Sequence, residues 1–311
     1  MQAIAVKEYG AAPELTDVPD PQPGPGQVLI KIDAAGMNPM DRMISSGGWK
    51  DVMPATFPLV LGADLAGVVE TVGEGAGKFS PGDEVFGQLF ITPLGSAGTY
   101  AERVAVTEHA TLARVPQGLD PVVAASLPTA GGTGLDIVES LEPLAGKTAL
   151  IVGAAGGVGS FATQFAANAG AHVIAVAHAN AADRLRAYGA KETLDRTAVS
   201  VPDALRRTHP DGIDVLVDVA SDAATFAALA SLVRPGGTAL STIGAADPDA
   251  LASRNVTGVN FQVSISSELL ERLADALVSG RIVAPPITRV GLDDVPTVDV
   301  AHADGKTVIT L

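Results

Sequence analysis

At 311 residues, 47% apolar and 18% charged, the chain is long enough for two packed cores and too apolar to remain disordered. Its 35 acidic residues against 20 basic ones leave a formal charge of −15, which makes nucleic acid and anionic membrane surfaces poor partners. Cysteine is absent, so there is no disulfide, no thiolate nucleophile and no cysteine-held zinc.

Residues 1–14 alternate apolar and polar character without a signal-peptide core, and the apolar runs break well short of a membrane span. A soluble, cytoplasmic protein is expected. Residues 2–6 and 28–34 read as short strands separated by Pro19, Pro21, Pro23, Gly24, Pro25 and Gly26, which together write a turn. Further strand-like runs follow at 67–72, 84–86 and 100–106, each bounded by glycine or proline. Many short strands with such turns predict a barrel-like β domain.

Near Pro121 the texture changes. Strands are expected at 148–152, 173–177, 215–219 and 238–243, alternating with helices at 160–169, 182–188 and 224–232. That alternation predicts parallel strands joined by crossover helices. After residue 257 come a strand-like run at 258–264, a helix at 269–278 and a closing strand at 306–311.

The strongest local signal runs from Thr148 to Ser160. An apolar strand enters Gly153-Ala-Ala-Gly156-Gly157-Val158-Gly159, and a helix begins at once. Such glycines permit a tight turn and let the backbone approach a pyrophosphate, while the helix N-terminus offers free N–H groups and a positive dipole end. Ala155 takes one customary glycine position. Dinucleotide binding is the functional reading; a plain glycine-rich turn is the structural alternative. Sites selective for NAD place an acid about 20 residues beyond the first glycine, to hold the ribose 2′-hydroxyl. Here Ala175-Val-Ala-His178-Ala-Asn180 supplies none before Asp183. His178, Asn180, Arg184 and Arg196 could each approach a 2′-phosphate, so NADPH is the expected cofactor. Solvated surface charge is the alternative for either arginine.

The chain resembles, over nearly its whole length, the zinc-free quinone oxidoreductase branch of the medium-chain dehydrogenase/reductase superfamily. The resemblance rests on Gly36-Met-Asn-Pro-Met-Asp41, Phe57-Pro-Leu-Val-Leu-Gly-Ala-Asp-Leu-Ala-Gly67, Val72-Gly73, Pro81-Gly-Asp-Glu-Val-Phe-Gly87 and Gly98-Thr-Tyr-Ala-Glu102. The glycine loop, Tyr188-Gly-Ala190, Arg234-Pro-Gly-Gly237 and Gly305-Lys306 complete it. It implies an α/β chain in which a Rossmann domain, a doubly wound parallel sheet, is inserted into a GroES-like β-barrel-type catalytic domain. The expected domains are 1–120 with 257–311 for the catalytic part and 121–256 for the cofactor part. Nicotinamide and substrate would meet in a cleft between domains, and a homodimer is expected.

The same resemblance implies no metal, because zinc-dependent relatives use a cysteine where Asn38 stands and Gly-His-Glu where this chain has Gly62-Ala63-Asp64. It places Asn38 and Asp41 at the nicotinamide ribose or substrate, with Thr133, Ser221, Ile243 and Gly244 around the cofactor and Phe261 and Val263 on the nicotinamide side. Asn38 and Asp41 could instead hold the turn at Pro39, and Phe261 could be core. Relatives often carry tyrosine at Met43, arginine at Ser45 and tyrosine at Trp49, so the pocket here is more apolar. Trp49 is either a stacking wall for a planar substrate or packing under its loop. Segment 292–305 is shorter than the helix-bearing region of relatives.

The expected reaction is hydride transfer from NADPH to a quinone or enone, with the oxyanion held by Asn38, the cofactor ribose, backbone N–H groups or water. No side chain is a clear general acid. A biosynthetic reductase of polyketide-type enones and an NADPH-binding protein with little turnover are the alternatives.

Overall fold

The computed structural model describes residues 1–298 and 304–311; residues 299–303, inside segment 292–305, lie outside the described residues. The chain divides into two compact units, the first of Met1–Gly132, Ile265–Gly280 and Pro286–Leu311, the second of Thr133–Ser264 and Arg281–Pro285. The domain boundaries expected at 120 and 257 therefore move to 132 and 264. Two contacts explain the shift. Thr129 donates its backbone N–H to Asp64 in the first unit, and residues 257–260 pair with the sheet of the second.

In the first unit the chain runs β1 (Gln2–Val6), β2 (Glu14–Asp17), β3 (Gln27–Met37), α1 (Pro39–Ser45), β4 (Leu59–Val60), β5 (Asp64–Val72), β6 (Glu84–Gln88), β7 (Arg103–Thr107), β8 (Thr111–Arg114) and α2 (Pro121–Ala125), and α3 (Pro128–Leu141) begins there. The second unit holds β9 (Thr148–Val152), α4 (Gly157–Asn168), β10 (His172–Ala177), α5 (Ala182–Ala187), β11 (Glu192–Asp195), α6 (Val201–Thr208), β12 (Ile213–Asp218), α7 (Ala223–Ala230), β13 (Val233–Ser241), α8 (Pro248–Ala252) and β14 (Thr257–Asn260). The chain then returns to the first unit with α9 (Ser267–Val278), β15 (Ile287–Gly291) and β16 (Lys306–Thr310). Among the described residues no helix is long and apolar enough to cross a membrane.

The first unit is built on a seven-stranded sheet, β15-β16-β3-β5-β6-β8 with β7 also on β3, and a three-stranded sheet β2-β1-β4. One apolar core, with Ile4, Ile30, Leu65, Val85, Leu112 and Ile309, joins the two sheets. β16 comes from the far end of the chain and pairs antiparallel with β3, setting Thr307 opposite Met37. β5 pairs with β3 on the other side, setting Asp64 opposite Gly36. The ends of three strands therefore meet at Asn38.

In the second unit the six strands run β11-β10-β9-β12-β13-β14, all parallel. Numbered along the chain this is the order 3-2-1-4-5-6 of a doubly wound dinucleotide fold. Strand alternation sends Ala149 and Ile151 to a core with α4 and α5 on one face. Leu150 and Val152 go to a core with α6 and α7 on the other.

Candidate active site

The meeting point of β3, β5 and β16 is a closed polar cluster. Asn38 is the N-cap of α1, and its backbone N–H donates to the Asp41 carboxylate at 2.8 Å. Its amide nitrogen donates to Asp64 at 3.0 Å and to the Gly36 carbonyl at 3.4 Å, while its amide oxygen accepts from the Lys306 ammonium at 2.7 Å. Lys306 also donates to the Met37 carbonyl at 2.8 Å. Asp64 accepts from the Thr129 hydroxyl at 2.6 Å and from the Thr129 backbone, which lies in the first turn of α3. Tyr100 donates its hydroxyl to Asp41 at 2.6 Å, and its ring fills the space a side chain at Gly62 would need. Gly62 has φ +94°, which glycine adopts without strain. Asn38, Asp41, Asp64, Tyr100 and Lys306 are all buried.

Both amide protons of Asn38 are thus committed inside the protein, so in this arrangement it has none left to offer an oxyanion. Its place in the cluster is that of a bridge, carrying the ammonium of Lys306 on one side and the carboxylate of Asp64 on the other. Burial pushes the Asp41 carboxyl up to about 7, against the hydrogen bonds from Tyr100 and Asn38 that favour its anion. Burial also raises Asp64 and lowers Lys306, each opposed by the charge of the other.

The Asp41 shift has a sign that can be tested. An acid whose folded pKa exceeds its unfolded value binds more protons in the native state, so its contribution is full below the usual carboxylate range and is lost as pH rises to about 7. In Asp41→Asn, whose amide oxygen can still accept from Tyr100 and Asn38, the fall in melting temperature between about pH 4 and 7 should flatten. An unchanged slope across that window would show that Asp41 is ionised throughout.

Asp41 lines a cavity with Ile44, Leu61, Leu89, Phe90 and Ile91. Trp49 is half-buried, packs on the core of the first unit and stacks on Phe90 with ring centres 5.8 Å apart and planes 24° apart. Phe90 itself is largely exposed, so an aromatic pair stands at the surface where the sequence pointed to one ring. Met43 is also exposed and lies against Gly48.

In the second unit the glycine loop follows the last residue of β9, and Gly156 caps α4. Gly153 has φ +80°. A side chain at Gly159 would run into the Gly153 carbonyl and the Ala154 backbone. Gly156 is different: its φ is −74° and a methyl group there would meet only the Gly153 carbonyl, at 3.5 Å. Nothing in the protein demands glycine at 156, whereas a ligand lying on the backbone would. The loop therefore fits the pyrophosphate of a dinucleotide, with Ala155, Gly157 and Val158 partly exposed around it.

Thr133 lies within α3, while most of the other cofactor candidates of this unit follow the carboxyl ends of parallel strands, where such sheets hold ligands. His178 follows β10, Ser221 lies just after β12, Ile243 and Gly244 follow β13, and Phe261 and Val263 follow β14. Ile243 and Val263 are exposed; Phe261 packs partly on the core; Thr133 is buried. Arg196 donates to His178 Nε2 at 2.8 Å, with Asn180 exposed in the turn after His178. Arg184 turns instead to the Ala155 carbonyl, at 3.4 Å. Asp195, at the end of β11, lines a cavity together with His178.

Comparison with known proteins decides the family. Residues 24–117 match the model for the alcohol dehydrogenase GroES-like domain and residues 157–273 that for the zinc-binding dehydrogenase domain. The chain is 31% identical to an NADPH-dependent alkenal/one oxidoreductase of Arabidopsis thaliana, over 99% of its own length and 79% of the relative's. The chain belongs to the quinone oxidoreductase-like branch of the medium-chain dehydrogenase/reductase superfamily. It is also 36% identical to a chloroplast envelope quinone oxidoreductase homolog of the same plant, over 68% of this chain and 65% of that one. A quinone oxidoreductase of Pseudomonas syringae superposes with a TM-score of 0.86 at 27% identity, covering 100% of this chain and 99% of that one.

For this member of the superfamily, sequence reasoning located the glycine loop and Asn38 but missed their surroundings. Lys306 was visible only as part of a terminal Gly-Lys motif, and Tyr100 and Thr129 drew no functional reading. A buried lysine in strand β16 and the Phe90 partner of Trp49 carry no local signal. Asp195 carries none either: it closes β11, a short strand where the sequence predicts no element.

Proposed function

We propose that this protein is an NADPH-dependent reductase of quinones or enones that works without a metal at its reacting centre. The observation that carries the reading is the cluster at Asn38. The donor atoms of Asn38 and Asp64 are taken up by Lys306 and Thr129, and Ala63 offers no ligand atom at all. That donor set suits the ammonium of Lys306 better than zinc. The names of the relatives, quinone and alkenal/one oxidoreductases, support the substrate class.

NADPH, when bound, would supply a hydride to an electron-poor carbon. The chain's own contribution is positional and electrostatic. The glycine loop and the N-terminus of α4 would hold the pyrophosphate, with the residues at the strand ends of the second unit beside the rest of the cofactor. In the first unit Lys306, Asn38 and Asp64 fix the end of β3 and the start of α1. Asp41 lines the cavity and carries a proton for part of the time near neutrality, which suits it to protonate the oxyanion left by hydride addition. Trp49 and Phe90 form an apolar wall for a planar acceptor.

Alcohols should be poor substrates. An alcohol must lose a proton as its hydride leaves, and no metal acidifies it here. The direct assay follows NADPH loss with 1,4-benzoquinone and a simple enone, beside ethanol with NADP. Turnover of the conjugated acceptors that survives EDTA is the expected result; efficient ethanol oxidation lost on chelation would overturn the proposal.

Cofactor preference tests separately. Arg196→Ala removes one charge-assisted contact worth about 1.5–3 kcal/mol, so NADPH affinity should fall roughly ten- to a hundredfold while NADH affinity stays level. Equal losses for both cofactors in calorimetric titration would remove Arg196 from the 2′-phosphate site.

A further inference from the structure

Among the described residues, His172, Glu192 and His209 of the second unit form a cluster of potential metal ligands that hydride transfer does not use. His172 opens β10, Glu192 opens β11, and His209 directly follows α6. In the parallel register Ile174 lies beside Glu192, and residues two apart share a face, so His172 and Glu192 point to the same side of the sheet. That side is the one on which Ile174 and Val176 pack against Val201 and Leu205 of α6. The end of the helix therefore delivers His209 to the same spot. His172 Nε2 lies 2.6 Å and His209 Nε2 3.0 Å from the same oxygen of Glu192. All three ligand atoms fall within 4.8 Å of one another, and all three side chains are partly open to solvent. Burial pushes the Glu192 carboxyl up, but the two imidazoles outweigh it and hold the group below the usual range.

We propose that His172, Glu192 and His209 bind one divalent cation of the zinc type, with water completing its coordination. Two imidazoles and one carboxylate make a borderline-soft set that favours zinc over magnesium or calcium, which prefer all-oxygen cages. Tetrahedral bonds of about 2.0–2.1 Å set ligand atoms roughly 3.3 Å apart, so the contacts of His172 at 2.6 Å and His209 at 3.0 Å to Glu192 need lengthen by less than about 1 Å. The ion would tie the end of α6 to β10 and β11. His172 and Glu192 begin their strands, whereas the glycine loop follows the end of β9, so this site is separate from the one assigned to the cofactor. The expectation of a metal-free chain was drawn from the missing cysteines and from Asn38 and Ala63, none of which takes part here.

The test uses full-length, tag-free protein stripped with EDTA and dialysed. Calorimetric titration with zinc chloride should show one ion per chain with a micromolar or tighter dissociation constant, and a raised melting temperature. Cobalt(II) should give the visible bands of a low-coordinate nitrogen–oxygen site. His172→Gln and His209→Ala should each weaken zinc binding at least tenfold and abolish the thermal shift. His109→Ala, which removes an exposed histidine elsewhere, should leave both unchanged. His209→Ala should also retain wild-type reductase turnover. The proposal is overturned if the wild-type protein takes up no stoichiometric zinc, or if either cluster variant binds it with wild-type affinity.

Discussion

Lys306→Met should lower the melting temperature by on the order of 10 °C. Methionine keeps the unbranched stem but removes the ammonium that bonds the Met37 carbonyl and the Asn38 amide oxygen. Two buried acceptors are then left unpaired at about 1–3 kcal/mol each. Asp64 and Asp41, both buried, lose the cation whose charge opposes the upward shift of their pKa values. Breaking such a buried charge arrangement from one side typically costs about 3–5 kcal/mol, and each kcal/mol moves a domain of this size by about 2–4 °C. Turnover should fall as well, because the Asn38 amide then loses one of the three groups that orient it. The double variant Lys306→Met with Asp64→Asn should recover part of the stability, since the stranded carboxylate is gone. A melting temperature within about 2 °C of wild type would mean that the ammonium is neutral or dispensable in the folded state.

Gly156→Ala and Gly159→Ala should separate ligand binding from folding. At Gly156 the backbone suits alanine, and a methyl group meets nothing closer than 3.5 Å. The substitution should leave stability level or raise it by about 0.4–1 kcal/mol through the unfolded chain. It should nevertheless weaken NADPH binding roughly ten- to a hundredfold, because the methyl occupies the space assigned to the pyrophosphate. At Gly159 the added carbon runs into the Gly153 carbonyl and the Ala154 backbone, so Gly159→Ala should lose both stability and affinity. Calorimetric titration and thermal denaturation on the same samples give the comparison. Unaltered NADPH affinity in Gly156→Ala would remove the loop as the ligand cradle.

Much of the fold could be read along the chain because its signals are local. Buried parallel strands such as Thr148–Val152 and Ile213–Asp218 are short apolar runs bounded by turn residues. The helix α3 escaped notice although it is 14 residues long. Gly131, Gly132 and Gly134 blur its pattern and lower its intrinsic propensity. They are there because Leu273 crowds Gly131, Ile265 crowds Gly132 and Phe161 crowds Gly134, which are contacts with residues distant in sequence. Helix α6 was missed for the opposite reason, since its mostly polar turns keep only Val201, Ala204 and Leu205 buried.

The sequence by itself determined the two-part α/β plan, the family, and the glycine loop between β9 and α4, because each depends on residues adjacent in the chain. Only the tertiary structure decided what surrounds Asn38. Lys306 reaches it because β16 pairs with β3 across 268 residues, and Asp64 reaches it because β5 pairs with β3 on the other side. The same holds for the cluster of His172, Glu192 and His209, assembled by strand register and the end of a helix. Each of these side chains is unremarkable in its own segment. Its hydrogen bonds are set by partners that pairing brings from elsewhere, and pairing at such distances leaves no periodic trace in the sequence.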